Sequence, residues 1–261
     1  YVAPSQVERI AEHSRHLNLE GEEKEVTILF SDVREFTSLS EKLSPTELTT
    51  LLNQYLTPVA RMIRERQGTL DKFVGDAVMA FWNAPIDVAN HHQHAVEAGL
   101  AMLQELPHLN EMFEVRFGLT ISVGIGLHAG QVRVGNMGSE DLFDYTIIGD
   151  NVNLTSRLEG LTRYYEVDII VSQSLQNVRV AGYELQELDT VRVKGKENPV
   201  ILFTYRDEDV FSERERTLWQ EGLGLYKQAN FSEARIRFKT LTLDSPEIFF
   251  YKIYQKRCED Y

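Results

Sequence analysis

Cysteine is nearly absent. Cys258 is the one thiol in 261 residues, which excludes an internal disulfide and suits a reducing compartment. Long apolar runs are absent too. No stretch of about 18 apolar residues occurs, so these residues hold no transmembrane helix. Positive charge is in short supply: 27 Lys and Arg stand against 40 Asp and Glu, a net charge of −13. That balance argues against a nucleic-acid-binding surface. It leaves room for one small anion, because a local pocket can be basic on an acidic protein. What is present is ordinary for a globular chain, 43% hydrophobic and 26% charged, and long enough for one large domain plus a small appendage. The chain opens at Tyr1 rather than Met and reads as a fragment of something longer.

Residues 1–24 read as an N-terminal helix and linker, with Val2, Val7, Ile10 and Ala11 at helical spacing before a charged connector. Residues 25–32 form a nearly continuous apolar run, the pattern of a strand buried on both faces. Asp32 closes it. Ser44, Pro45 and Glu47 make a strong helix start, and Pro58 is expected to kink the helix that follows. Residues 69–82 read as a β-hairpin turning at Gly75-Asp76, with Asp71, Lys72 and Asp76 as charges inside an apolar pair of strands. A second amphipathic helix is expected over 88–106. His91, His92 and His94 at its start read as a solvated first turn rather than a metal site, since no further ligand at a recognisable spacing accompanies them. Residues 119–127 alternate as a strand, and His128-Ala129-Gly130 is read as the turn of a second hairpin. Gly124 and Gly126 suggest a dinucleotide fingerprint, but a strand follows rather than a helix, so that reading fails. A strand over 142–148, a helix over 150–164 with Asp150 as N-cap, a strand over 168–171 and a last strand pair complete the main domain, 25–206. Residues 207–261 turn wholly helical, with Gly222, Ala234, Phe238 and Pro246 at the spacing of a single tetratricopeptide-like repeat.

The chemistry begins with two aspartates. Asp32 and Asp76 lie at strand ends, and if their strands are neighbours the carboxylates converge. Such pairs at a sheet edge hold Mg²⁺, which takes one or two carboxylates plus phosphate oxygens. Taken singly, each is no more than a turn carboxylate. Asn153 and Arg157, four apart, stack on one helical face, and Arg suits bidentate contact with phosphate. Lys194, in a Gly-containing turn, is a further phosphate contact. Together these residues suggest two-metal phosphoryl-transfer chemistry and leave the nucleophile open.

Three ordered motifs then carry a resemblance. Residues 25–37 (Glu-Val-Thr-Ile-Leu-Phe-Ser-Asp-Val-Arg-Glu-Phe-Thr), 70–79 (Leu-Asp-Lys-Phe-Val-Gly-Asp-Ala-Val-Met) and 143–159 (Phe-Asp-Tyr-Thr-Ile-Ile-Gly-Asp-Asn-Val-Asn-Leu-Thr-Ser-Arg-Leu-Glu) resemble the class III nucleotidyl cyclase catalytic domain over 25–205. The resemblance implies an α+β fold: a ferredoxin-like, palm-like βαββαβ core with extra strands, here followed by a helical appendage. It implies two metal ions per site, Mg²⁺ or Mn²⁺, on Asp32, Asp76 and the Val33 carbonyl. Asn153 would orient the ribose and Arg157 would stabilise the transition state. Lys194 and the backbone amides near Phe36 and Thr37 would hold phosphate. Lys72 matches the adenine-reading lysine, and Thr146 is the mark of a subgroup of bacterial adenylate cyclases. Asp71 is given no role and reads as solvated.

The implied reaction is attack of the ATP ribose 3′-hydroxyl on the α-phosphate, giving 3′,5′-cyclic AMP and pyrophosphate. The implied enzyme is a homodimer with sites at the interface. A sensor and membrane helices upstream would anchor a cytoplasmic catalytic domain at the inner membrane. A guanylate cyclase and a catalytically silent nucleotide-binding domain are the alternatives. Lys72 donates only, which suits N1 of adenine and opposes the N1–H of guanine. Each mispaired buried group is worth roughly 1–3 kcal/mol. Assay of both nucleotides is therefore expected to favour ATP, and equal turnover would contradict the reading.

Overall fold

The computed structural model describes residues 21–139, 143–193 and 198–260. The expected N-terminal helix, and Lys194, lie outside them. The chain order is β1 (Glu22–Val33), α1 (Phe36–Ser40), α2 (Pro45–Glu65), β2 (Thr69–Val74), β3 (Ala77–Trp82), α3 (His91–Phe117), β4 (Val123–Gly138), β5 (Phe143–Ile148), α4 (Asp150–Tyr165), β6 (Ile169–Ser172), β7 (Tyr183–Val191) and β8 (Val200–Asp207). Three helices follow: α5 (Glu213–Lys227), α6 (Phe231–Asp244) and α7 (Phe249–Glu259). The strands form one sheet in the order β2-β3-β1-β4-β6-β8-β7, with β5 paired to β4. The first four strands in chain order run antiparallel as β2-β3-β1-β4, the ferredoxin-like arrangement expected.

Strand β1 is central because both of its edges are paired, to β3 and to β4. Its odd positions turn one way and its even positions the other. Leu29 and Val33 join Val78, Ala80 and Trp82 of β3 in a core covered by α2 and α3. Val26 and Ile28 join Met79 and Phe81 in a core on the opposite face, closed by Ile147 of β5. Asp32 is even-numbered. It continues the row of Val26, Ile28 and Phe30 and so emerges on the face that carries α4. The C-terminal helices cover that same side of the sheet: Trp219, Phe238, Tyr251 and Tyr254 are buried with Leu158, Ile170 and Leu188. Tyr251, Tyr254 and Cys258 all lie inward on α7.

The helix start at Ser44 is a complete capping box, and α2 runs through Pro58 as a single element. Several expectations need correction. Strand β1 begins at Glu22, so residues expected to close the linker already pair with β4. Residues 128–130 are not a turn. They lie inside one sixteen-residue strand that pairs with β1 from Val123 to Val134. His128 is held there by Ser172 Oγ at 2.6 Å. Gly130 is small because a Cβ would meet Asn151 Nδ2 at 2.4 Å. The N-cap of α4 is Gly149. Asp150 falls in the first turn, where its charge complements the helix dipole. Helix α3 continues through Pro107 to Phe117, well past the expected end.

Gly126 shows how tightly α4 sits on β4. A Cβ there would lie 2.3 Å from the Glu159 amide nitrogen and 2.7 Å from the Thr155 carbonyl oxygen. Neither backbone atom can yield without moving the helix. Gly126→Ala is therefore expected to destabilise the fold by about 2–4 kcal/mol. Gly160→Ala, on the same helix with open space around it, should stabilise by about 0.5–1 kcal/mol. Urea denaturation of both variants checks the pair.

Candidate active site

The β2–β3 turn is built on Gly75 at φ 66°, and it places Asp76 beside the end of β1, where Ser31 pairs with Val78. Asp76 is 9% exposed. Its Oδ2 accepts a hydrogen bond from the Val33 amide at 3.1 Å. Burial raises its pKa, and the Asp32 carboxylate within hydrogen-bonding reach raises it further, to about 7. The two carboxylates predicted to converge do so. Two residues missed by sequence reading join them from α4. Glu159 is also pushed up to about 7, by burial and then by the charge of Asp32. Arg163 Nη2 lies 3.5 Å from Asp32 Oδ2. Their spacing of four on a helix already holding Asn153 and Arg157 was the available signal.

Asn153 and Arg157 occupy a different side of α4. At about 100° per residue, they lie roughly opposite Thr155, Glu159 and Thr162, the residues that meet β4 at Gly124 and Gly126. Asn153 is exposed and Arg157 half-buried. Arg157 Nη1 is enclosed without a hydrogen-bond partner, a costly state for a guanidinium unless an anion meets it. Phe36 and Thr37 open α1, just after Val33.

Lys72 and Thr146, the residues expected to read the base, lie in a second cluster. Lys72 of β2 pairs with Met79 and so shares the face of β5. Thr146 of β5 is 8% exposed. Between them stands Asp71, whose side chain is 1% exposed rather than solvated as expected. Asp71 Oδ2 accepts the Thr146 hydroxyl proton at 2.7 Å, and Lys72 Nζ lies 3.7 Å from its Oδ1. Burial raises the Asp71 pKa, while Thr146 and Lys72 lower it. The histidines also depart from a solvated turn. His91 Nδ1 is bonded to Thr27 Oγ1 at 2.8 Å, and Glu25, His91 and His92 bring three ligand atoms within 4.8 Å of one another.

Residues 20–205 match the family model of the adenylate and guanylate cyclase catalytic domain. The chain belongs to this family. It is 38% identical to an adenylate cyclase of Anabaena cylindrica over 69% of this chain and 36% of that one. It thus spans about a third of that relative's length. Among solved structures, the adenylyl cyclase CyaB from P. aeruginosa is 34% identical with a TM-score of 0.68, covering 73% of this chain and 97% of that one. The guanylyl cyclase Cya2 is 33% identical with a TM-score of 0.65, covering 72% and 94%. Overall likeness is thus nearly equal to enzymes named for either base. The choice of base has to be sought in individual contacts.

The family uses divalent metal ions, and the residues here fit them. Asp76 and Asp32 crowd negative charge into a poorly solvated corner, which a hard cation with carboxylate ligands relieves. No described helix is long and apolar enough to cross a membrane.

The raised groups set a pH dependence. A carboxyl whose folded pKa is raised stabilises the metal-free fold below its unfolded value, and that contribution is lost as pH climbs through about 7. A bound cation replaces the protons. Mg²⁺ at ten times its Kd should add about 1.4 kcal/mol, a Tm rise on the order of 3–6 °C. At a fixed Mg²⁺ concentration the rise should be larger at pH 8 than at pH 5. Mg²⁺ is the probe of choice because the nitrogen-rich Glu25, His91 and His92 group suits softer ions. An equal Tm shift at both pH values would count against a carboxylate site.

Proposed function

We propose that this chain is the catalytic part of an adenylate cyclase, converting ATP to 3′,5′-cyclic AMP and pyrophosphate at sites shared between two copies. The observation that carries the shared site is the geometry of α4. One face of the helix brings Glu159 and Arg163 to the Asp32–Asp76 carboxylates. A side of the helix roughly 120° away carries Asn153 and Arg157, whose Nη1 is enclosed without a hydrogen-bond partner. One copy therefore aims its metal-binding half and its transition-state half in different directions. A two-fold pairing of copies supplies each with the half it lacks and yields two equivalent sites.

The roles are those the family resemblance implies, and the chemistry of each residue suits its part. Asp32, Asp76 and the Val33 carbonyl hold the cations, Mg²⁺ or Mn²⁺. When bound, these supply Lewis-acid charge at the α-phosphoryl group and the departing pyrophosphate. Lys72 offers its ammonium protons to N1 of the adenine, and Thr146 meets the exocyclic amine. Asn153 orients the ribose, so that its 3′-hydroxyl is aligned with the α-phosphorus. Arg157 donates to the α-phosphoryl oxygens as charge gathers there. The Phe36 and Thr37 amides, with Lys194, hold the outer phosphates. The substrate preference rests on Lys72, a donor with no acceptor. In the whole protein, this catalytic part would sit on the cytoplasmic side of the membrane, downstream of a sensor.

Mixing two inactive variants tests the arrangement. Asp32→Ala lacks one half-site and Arg157→Ala the other, so heterodimers contain one intact site. With freely exchanging subunits in equal amounts, about half of all dimers are mixed, each with one site of two. About a quarter of wild-type activity should return. No recovery, with subunit exchange demonstrated, would count against sites shared between copies.

A further inference from the structure

Asp71 has no part in the functions assigned above, yet it is among the more deeply enclosed carboxylates of the chain, its side chain 1% exposed. Its position is a product of irregular pairing. Leu70 pairs with Ala80 and Lys72 with Met79, so the register shifts between them and Asp71 is the extra residue of a β-bulge. In a regular strand neighbouring side chains point to opposite faces. Here Leu70 packs toward α2 and α3, and Lys72 lies opposite Met79, whose side chain belongs to the other face. The bulge lets Asp71 turn to the same side as Lys72, where it meets Thr146 of β5 at 2.7 Å. Bulges re-aim side chains in this way beside active sites.

The direction of that hydrogen bond has a chemical consequence. A threonine hydroxyl has one proton and two lone pairs. An ionised carboxylate accepts only, so the Thr146 proton is committed to Asp71 Oδ2 and only lone pairs remain for a bound base. Adenine presents an amino group at C6, a donor that those lone pairs accept. Guanine presents a carbonyl oxygen there, which they repel. The Lys72 ammonium, 3.7 Å from Asp71 Oδ1, favours the ionised carboxylate. An ammonium carries three protons, so its pairing with Asp71 Oδ1 leaves others for the base.

We infer that Asp71 is a positioning residue that fixes Thr146 as an acceptor and so converts an ambiguous hydroxyl into a reader of adenine. The inference rests on the reading that Lys72 and Thr146 face the substrate base.

The test compares the ratio of kcat/KM for ATP to that for GTP in the full chain and in Asp71→Asn, Thr146→Val and the double variant. An asparagine amide can donate to Thr146 Oγ1, which frees the hydroxyl proton to meet the guanine carbonyl. The Asp71→Asn ratio should fall about tenfold or more, and the same change should leave the ratio unmoved when Thr146 is already Val. A merely structural role would lower both nucleotides together and leave the ratio intact. Overturning results are an unchanged ratio in a variant of wild-type Tm, or an equal fall in the Thr146→Val background. Should Asp71→Asn fail to fold, the wild-type chain still decides. Purine riboside triphosphate, which lacks the 6-amino group, should be turned over about tenfold less efficiently than ATP, and equal efficiency overturns the inference. A wild-type chain that favours GTP would overturn the underlying base reading instead, before any variant is made.

Discussion

Two like charges forced together at the end of a central strand organise this molecule. Asp32 is delivered by the alternation of β1 and Asp76 by the Gly75 turn. The sheet that pairs Ser31 with Val78 leaves them no way to separate. A buried carboxylate beside another is unstable without a proton or a cation. That is why Asp76 and Glu159 both hold protons up to about pH 7. The strands are held in place by apolar cores on both faces, and α4 is pressed onto β4 so closely that Gly126 has no room for a methyl group. The fold thus maintains a local arrangement that is unfavourable by itself and favourable once a divalent ion is bound.

The same helix that crowds the carboxylates carries Asn153 and Arg157 away from them. The C-terminal helices stabilise this arrangement from outside. Their aromatic cluster around Trp219 buries Leu158 of α4 and Leu188 of β7, so the single repeat-like segment finds its missing neighbour in the catalytic domain. That contact is what an isolated repeat needs in order to bury its apolar face.

Much of this was legible from sequence. The continuous apolar run of β1, the Ser44 capping box and the Gly75 turn are local signals, and each is found where expected. So is the meeting of Asp32 with Asp76, because strand ends and a tight turn leave few alternatives. What escaped depended on distant partners. His128-Ala129-Gly130 has turn-like composition, but Gly130 is small to admit Asn151, a contact no local pattern reports. Glu159 and Arg163 look like an ordinary solvated helical pair until Asp32 lies beside them. Asp71 reads as solvated in the sequence because nothing in the hairpin reveals either the bulge or the arrival of β5. Similarity to CyaB and Cya2 alike fixes the architecture and leaves the choice of base to individual contacts, which the proposed function assigns to Lys72 and Thr146.

The claim on which the rest depends is that one copy of this chain holds two half-sites and no complete one. Specific activity with ATP and Mg²⁺ across a wide dilution series, with molecular mass followed by light scattering at the same concentrations, tests it most directly. Activity per mole of chain should fall in step with the loss of dimer, the total rate approaching a second-order dependence on protein concentration. Undiminished specific activity at concentrations where the protein is monomeric would contradict the account.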